Sequence, residues 1–248
     1  MLYKFFQLLC LFLGFSLAQG QVITTDPLFP KESDAVKLIY NASEGNAGMA
    51  AYTGDIWAHI GVLTNMSSST GDWKYVIAGW SENTDKAKLT SLGNDLWELN
   101  LSPSIRDYFG VPEGEKIEQI AIVFRNSNGS VTGRDADGGD IFVKVYEEGL
   151  NLSIIQPSKD FLVVDPGEQL QIEATASFAD SLSVQLDEEQ VYSFQGKDLN
   201  YVLSCPQEGI HEVLVTAFAE GEQVKESFSF MVRGSGILLE KPSGLRSG

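Results

Sequence analysis

Nearly every apolar segment of this 248-residue chain is short, rich in Val, Ile, Phe and Tyr, and closed off by Gly, Asn, Asp or Pro. β-Branched and aromatic side chains suit a pleated, half-buried surface, and the closing residues are those that turn a chain. The pattern predicts an all-β protein. In the first half, strands are expected at residues 35–41, 56–62, 74–78, 96–101, 116–125 and 141–146. One helical turn is expected over 102–109, where Ser102 can cap and Pro103 suits an early position. Gly110-Val111-Pro112 then stops it.

The polar run Glu147-Glu148-Gly149-Leu150-Asn151 breaks the chain in two. Beyond it, strands are expected at 152–156, 161–164, 169–176, 181–186, 190–193, 200–204, 209–218 and 224–232. Their spacing of about 8–12 residues is that of an immunoglobulin-like sandwich. Alternation puts Val213, Val215 and Ala217 on one face, with Phe228, Phe230 and Val232 as partners. The expected architecture is therefore two consecutive β-sandwich domains, at 21–147 and 148–233.

Both ends read differently. Lys4 followed by the apolar run from Phe5 to Leu17, with small residues at Ser16, Ala18 and Gly20, is the pattern of an export signal over 1–20. The run falls short of the roughly 20 apolar residues of a bilayer span. The expectation is a secreted, periplasmic or cell-surface protein, with no membrane insertion once the signal is cleaved. Residues 234–248 read as a linker toward a missing downstream domain. They carry the apolar triplet Ile237-Leu238-Leu239, which needs something to pack on.

The formal net charge of −17 becomes −18 once the positive Lys4 is removed, and no basic cluster breaks the acidic background. Nucleic acid is a poor partner for such a surface, because binding it depends on basic groups displacing counterions from phosphates. A neutral ligand is not repelled. With Cys10 in the signal, Cys205 is the single cysteine of the mature chain, and His59 and His211 are the two histidines. That rules out an internal disulfide and Cys/His zinc sites. Asp135-Ala136-Asp137-Gly138-Gly139-Asp140 lacks the twelfth-position Glu and the flanking helices of a calcium loop, so a hairpin loop is the reading preferred. No metal or cofactor is expected, and no catalytic constellation stands out among the 34 carboxylates.

All four tryptophans, Trp57, Trp73, Trp80 and Trp97, lie in the first half. Indole faces either fill cores or stack on apolar faces of ligands. Trp97 alternates with Leu99 and Leu101 and reads as core. Trp57 and His59 share a strand face opposite Ile56, Ala58 and Ile60; the small aliphatic face is the better core, so Trp57 and His59 are expected to point outward. Trp73 stands where a polar loop meets a strand, and its exposure depends on whether Tyr75 or Val76 leads the buried face. The pattern assigns no face to Trp80. His59, without a matched acid or a nucleophile elbow around it, reads as a hydrogen-bonding residue rather than a catalyst.

The run Tyr52-Thr53-Gly54-Asp55-Ile56-Trp57-Ala58-His59-Ile60-Gly61-Val62, then Trp73-Lys74-Tyr75-Val76-Ile77, Tyr108-Phe109-Gly110-Val111-Pro112, Ile122-Val123-Phe124-Arg125 and Asp140-Ile141-Phe142-Val143-Lys144-Val145-Tyr146, resembles the N-terminal module of secreted Bacteroidetes-type α-amylase-family glycoside hydrolases. That module is in turn similar to β-sandwich starch-binding modules, which place two aromatics two apart on a strand and a third on a neighbouring loop. The resemblance implies a pair at Trp57 and His59 and a third member at Trp73, with His59 departing from the aromatic pattern. It further implies an α-glucan partner, a downstream catalytic domain in the same chain, and hydrogen bonds to sugar hydroxyls from His59, Lys74, Asn126 or Asn128. The alternative is a pair of structural or adhesive spacer sandwiches with buried tryptophans and no ligand.

Overall fold

The computed structural model describes residues 21–158 and 160–234. The export signal, and the linker beyond residue 234, lie outside the described residues.

The chain is all-β, built as two β-sandwiches in succession. The first uses β1 (Ile23–Asp26), β2 (Val36–Asn41), β3 (Trp57–Thr64), β4 (Thr90–Gly93), β5 (Leu96–Leu101), β6 (Ile117–Arg125), β7 (Thr132–Gly133) and β8 (Ile141–Lys144). One sheet runs β1-β2-β5-β4; in the other, β6 pairs with β3, β7 and β8. All these pairings are antiparallel. Period-two alternation sends Val36, Leu38 and Tyr40 of β2 and Trp97, Leu99 and Leu101 of β5 into the core. Ala58, Ile60 and Val62 meet them from β3, with Ile56 just ahead of that strand, and Ile120, Ile122 and Phe124 from β6. Tyr40 and Phe124 stack across the core with ring centroids 3.8 Å apart.

The second sandwich uses β9 (Asn151–Gln156), β10 (Phe161–Val164), β11 (Gln169–Ser177), β12 (Ser181–Leu186), β13 (Glu189–Gln195), β14 (Asp198–Ser204), β15 (Gly209–Ala219) and β16 (Glu222–Val232). A five-stranded sheet, β10-β16-β15-β12-β13, faces a three-stranded one, β14-β11-β9. Val213, Val215, Ala217, Phe228, Phe230 and Val232 are all buried in its core, on one face of the β15–β16 ladder. Their shared face follows from the alternation in the sequence.

Three local features differ from the sequence reading. The helix is α1 (Ile105–Phe109), capped by Ser104 rather than Ser102: its hydroxyl accepts from the Asp107 amide, and Gly110 closes the turn. Pro103 thus precedes the cap. Residues 74–78 form no ladder strand; Lys74 makes an isolated bridge to Val62 and Ile77 donates to the Ile60 carbonyl, while Tyr75 adopts φ +51° between them. β1, β4 and β7 were not anticipated, because strands of 4, 4 and 2 residues carry too little alternation to stand out.

Candidate functional site: an aromatic cluster on the outer face of β3

β3 has β6 on one edge. Along its other edge runs the segment 73–89, fixed by Lys74–Val62 and Ile77→Ile60 backbone bonds at one end and by Leu89→Ile56 and a Trp57–Lys88 bridge at the other. Gly61 permits this approach: a Cβ there would lie 2.9 Å from the Lys74 carbonyl oxygen and 3.0 Å from Val76 Cγ2. The segment brings two tryptophans to the outer face of the sheet, on either side of His59.

His59 lies between them. Its ring is 5.5 Å from that of Trp73 at an interplanar angle of 27°, and 5.3 Å from that of Trp80 at 72°. Nδ1 is 3.1 Å from the Ala78 carbonyl oxygen, so Nδ1 carries the proton and donates, leaving the Nε2 lone pair as an acceptor. Burial, partly offset by that bond, depresses the imidazole pKa below its ordinary value. The ring is therefore neutral at pH 7.

The two indoles are held differently. Trp73 is partly exposed, and its Nε1 donates to the Thr70 carbonyl at 2.9 Å, which fixes the ring against His59. The neighbouring Tyr75 donates to Glu115 at 2.6 Å, and Thr64 donates to the other oxygen of the same carboxylate at 2.5 Å. These two bonds, Thr64 first, hold the Glu115 pKa below its usual range. Trp80 is 39% exposed and leans over the turn at Gly129.

Trp57 departs from expectation. It occupies the outer face with His59, as alternation requires, but it is only 8% exposed. Trp57 is bridged through its backbone to Lys88, whose ammonium sits 5.5 Å from the indole centroid. It is no part of an open platform. Trp80 takes the place the sequence reading gave to Trp57.

Of the polar residues expected to contact a ligand, Lys74 lies beside Trp73, paired with Asp72 at 2.8 Å. That bond, with further ones from Ser68, holds Asp72 down to about 2. Asn126 is 8% exposed, and its amide is engaged with Ser130 and the Val131 backbone, so it shapes a turn instead of reaching outward. Asn128 likewise accepts from the Ser130 amide and hydroxyl. In the 135–140 loop, Asp135 and Asp137 accept from backbone amides and Asp140 pairs with Arg134 at 2.7 Å. Among the described residues, no group of three or more His, Cys, Asp or Glu side chains is arranged to hold a metal ion.

The cluster is an open surface. Clefts of about 340 and 570 Å³ lie where the two sandwiches meet, lined by residues such as Val22, Tyr146 and Ser153 or Phe29 and Phe178, away from the rings. Chemically, the rings offer stacking faces and one neutral imidazole acceptor, flanked by the Lys74–Asp72 pair and by the Glu82 carboxylate of the turn that holds Trp80.

Fold and site define an all-β protein of two sandwiches with a surface aromatic cluster on the first. A family model described as a domain of unknown function (DUF8578) matches residues 23–132, the stretch that contains all of the cluster. No curated protein matches the sequence. Among solved structures, the chain is similar to fibronectin(III)-like modules of Clostridium thermocellum CbhA, at 25% identity over 34% of this chain and 96% of that one, with a TM-score of 0.31. An endo-beta-1,4-mannanase from Thermotoga petrophila aligns at 21% identity over 35% of this chain and 20% of its own, with a TM-score of 0.29. Titin A168169 aligns at 10% identity over 83% and 93%, with a TM-score of 0.29. At these scores the likenesses carry no argument about function.

Proposed function

We propose that the first sandwich binds carbohydrate, an α-glucan of the starch type, through Trp73, His59 and Trp80. The observation that carries this reading is the imidazole set between two indoles, one of them 39% exposed, on a surface that offers both stacking and hydrogen bonding. Sugar rings have an apolar face that stacks on indole and hydroxyls that reach an acceptor such as His59 Nε2. A chain of net charge −17 does not repel a neutral polymer.

Ring angles favour a curved glycan. Trp73 lies 27° and Trp80 72° from the imidazole plane, so the two indoles cannot be closer to parallel than the 45° between those values. A flat, ribbon-like β-1,4-linked chain stacks best on coplanar rings, whereas successive sugars of an α-1,4 chain tilt relative to one another. The second sandwich serves in this reading as a spacer. Together with the export pattern of residues 1–20 and the resemblance to amylase-family enzymes, this makes the region the targeting front of an exported glycoside hydrolase, raising the local concentration of a downstream catalytic domain on its polymer.

Native gel electrophoresis tests the binding. The protein is expected to migrate more slowly with amylopectin in the gel, to be unaffected by hydroxyethyl cellulose, and to lose the retardation in Trp73→Ala/Trp80→Ala. Equal migration with and without amylopectin, or retention of the effect in the double variant, sinks the reading.

A further inference from the structure

We propose that Asn83 and Arg125 form a latch between two surface turns that fixes the Trp80 indole, making them positioning residues of the binding surface; this rests on the carbohydrate-binding reading above. Arg125 ends β6 on the same outer face as Trp57, its cross-strand partner. It is 1% exposed and has no ion-pair partner among the described residues. Burying a guanidinium without a carboxylate is costly unless its donors are satisfied. Here the Nη donors go to two turns, while Nε is left without a partner among the described residues. Nη2 donates to the Glu82 carbonyl at 2.5 Å; Nη1 donates to the Asn83 side-chain oxygen at 2.7 Å and to the Asn126 carbonyl at 3.0 Å.

Asn83 completes the link. Its Oδ1 accepts from Arg125 and its Nδ2 donates to the Ser127 carbonyl at 3.1 Å, so one exposed side chain ties the 79–83 turn to the 126–130 turn. The first turn is closed on itself, with Gly79 donating to the Glu82 carboxylate at 2.7 Å and Glu82 donating to the Gly79 carbonyl at 3.0 Å. Trp80 lies inside it. The second turn supplies the bed for the indole: Gly129 has φ +73°, and a Cβ there would fall 2.3 Å from Trp80 Nε1. Two turns joined through Arg125 and Asn83 thus hold the exposed ring from both sides. Pre-ordering the ring removes part of the entropy lost when a ligand fixes it.

Asn83→Ala removes the link at an exposed position, and Gly129→Ala puts a methyl where the indole lies; neither touches the core. In amylopectin gels, each is expected to weaken binding by about three- to tenfold, the scale of one or two hydrogen bonds. In a Trp80→Ala background, Asn83→Ala is expected to have no further effect, because it acts through Trp80. Fluorine NMR of fluorotryptophan-labelled protein gives a readout independent of sugar: with four tryptophans, only the Trp80 resonance should move in Asn83→Ala. An unmoved Trp80 resonance overturns the latch, as does a fully additive loss in the double variant or wild-type binding by both single variants. If the wild-type protein is not retarded while the Trp80 resonance moves as expected, the carbohydrate reading falls and the latch stands.

Discussion

Trp57 and Arg125 face one another across β3 and β6, and each buries a nitrogen, Nε1 and Nε, with no hydrogen-bond partner among the described residues. Arg125 also reaches the 79–83 turn, which carries Trp80, and the 126–130 turn on which that indole lies. The pair separates the layer that supports the cluster from the layer that meets solvent, and the consequences of mutating each layer differ.

Trp57→Ala should act on stability. Truncating a buried indole removes its packing and leaves a cavity, costing about 3–5 kcal/mol. Trp57→Phe keeps most of the apolar volume and removes the unpaired N–H, whose burial is itself unfavourable by about 1–3 kcal/mol, so it should be far milder or neutral. Thermal or urea unfolding of the two variants checks this; a Trp57→Ala protein as stable as wild type would mean that the ring is not packed.

Trp73→Ala and Trp80→Ala should do the reverse. Both rings are at least partly exposed, so unfolding midpoints should stay near wild type while binding to α-glucan weakens. Each stacking contact is worth about 0.5–1.5 kcal/mol, which is roughly two- to tenfold in affinity. Dissociation constants from gel retardation, set beside the unfolding curves, report both quantities.

The two histidines should titrate in opposite directions. Burial lowers the pKa of His59, so the folded state disfavours its charged form; stability and the Nε2 acceptor are intact above the ordinary value of 6.5 and decline as pH falls below it. His211 is different: Nδ1 is 2.7 Å from Asp187 and Nε2 2.9 Å from the Gln207 carbonyl, two acceptors that only the doubly protonated ring satisfies. Burial opposes the charge, but these bonds outweigh it and raise the pKa. Its contribution is present below 6.5 and is lost as pH rises through the folded value. Proton NMR titration of two imidazole resonances should give one value on each side of 6.5; both on the same side would contradict the geometry.

Glu115→Gln should loosen the 73–78 segment. The carboxylate accepts from both Tyr75 and Thr64, and the amide keeps one acceptor where two are needed. Amide hydrogen exchange at Lys74 and Ile77 is expected to quicken, with a smaller loss of binding than in Trp73→Ala. Unchanged exchange would show that the backbone bonds to β3 suffice.

Much of this architecture is written in the alternation of residues. The core faces of β2, β3, β5, β6, β15 and β16 follow from period two, and Trp97 takes its core position beside Leu99 and Leu101. Alternation assigned Trp57 and His59 to the same face. It could not say that Trp57 is buried, because residues 73–89, whose regular structure is one 3-10 turn at Asp85–Ala87, take their course from pairing with a strand edge. Trp80 was illegible for the same reason. Its place depends on Gly129 and Arg125, 49 and 45 positions further along the chain, and no local pattern connects them. Asn126 and Asn128, expected to reach sugar hydroxyls, instead act in the fold as turn formers.

In the reading proposed above, Trp73, His59 and Trp80 together form a surface for an α-glucan. Its most direct test is a titration of intrinsic tryptophan fluorescence with maltoheptaose. A saturable change is expected in wild type that vanishes in Trp73→Ala/Trp80→Ala, although Trp57 and Trp97 remain to report. A flat titration in wild type, or one that survives in the double variant, would contradict it.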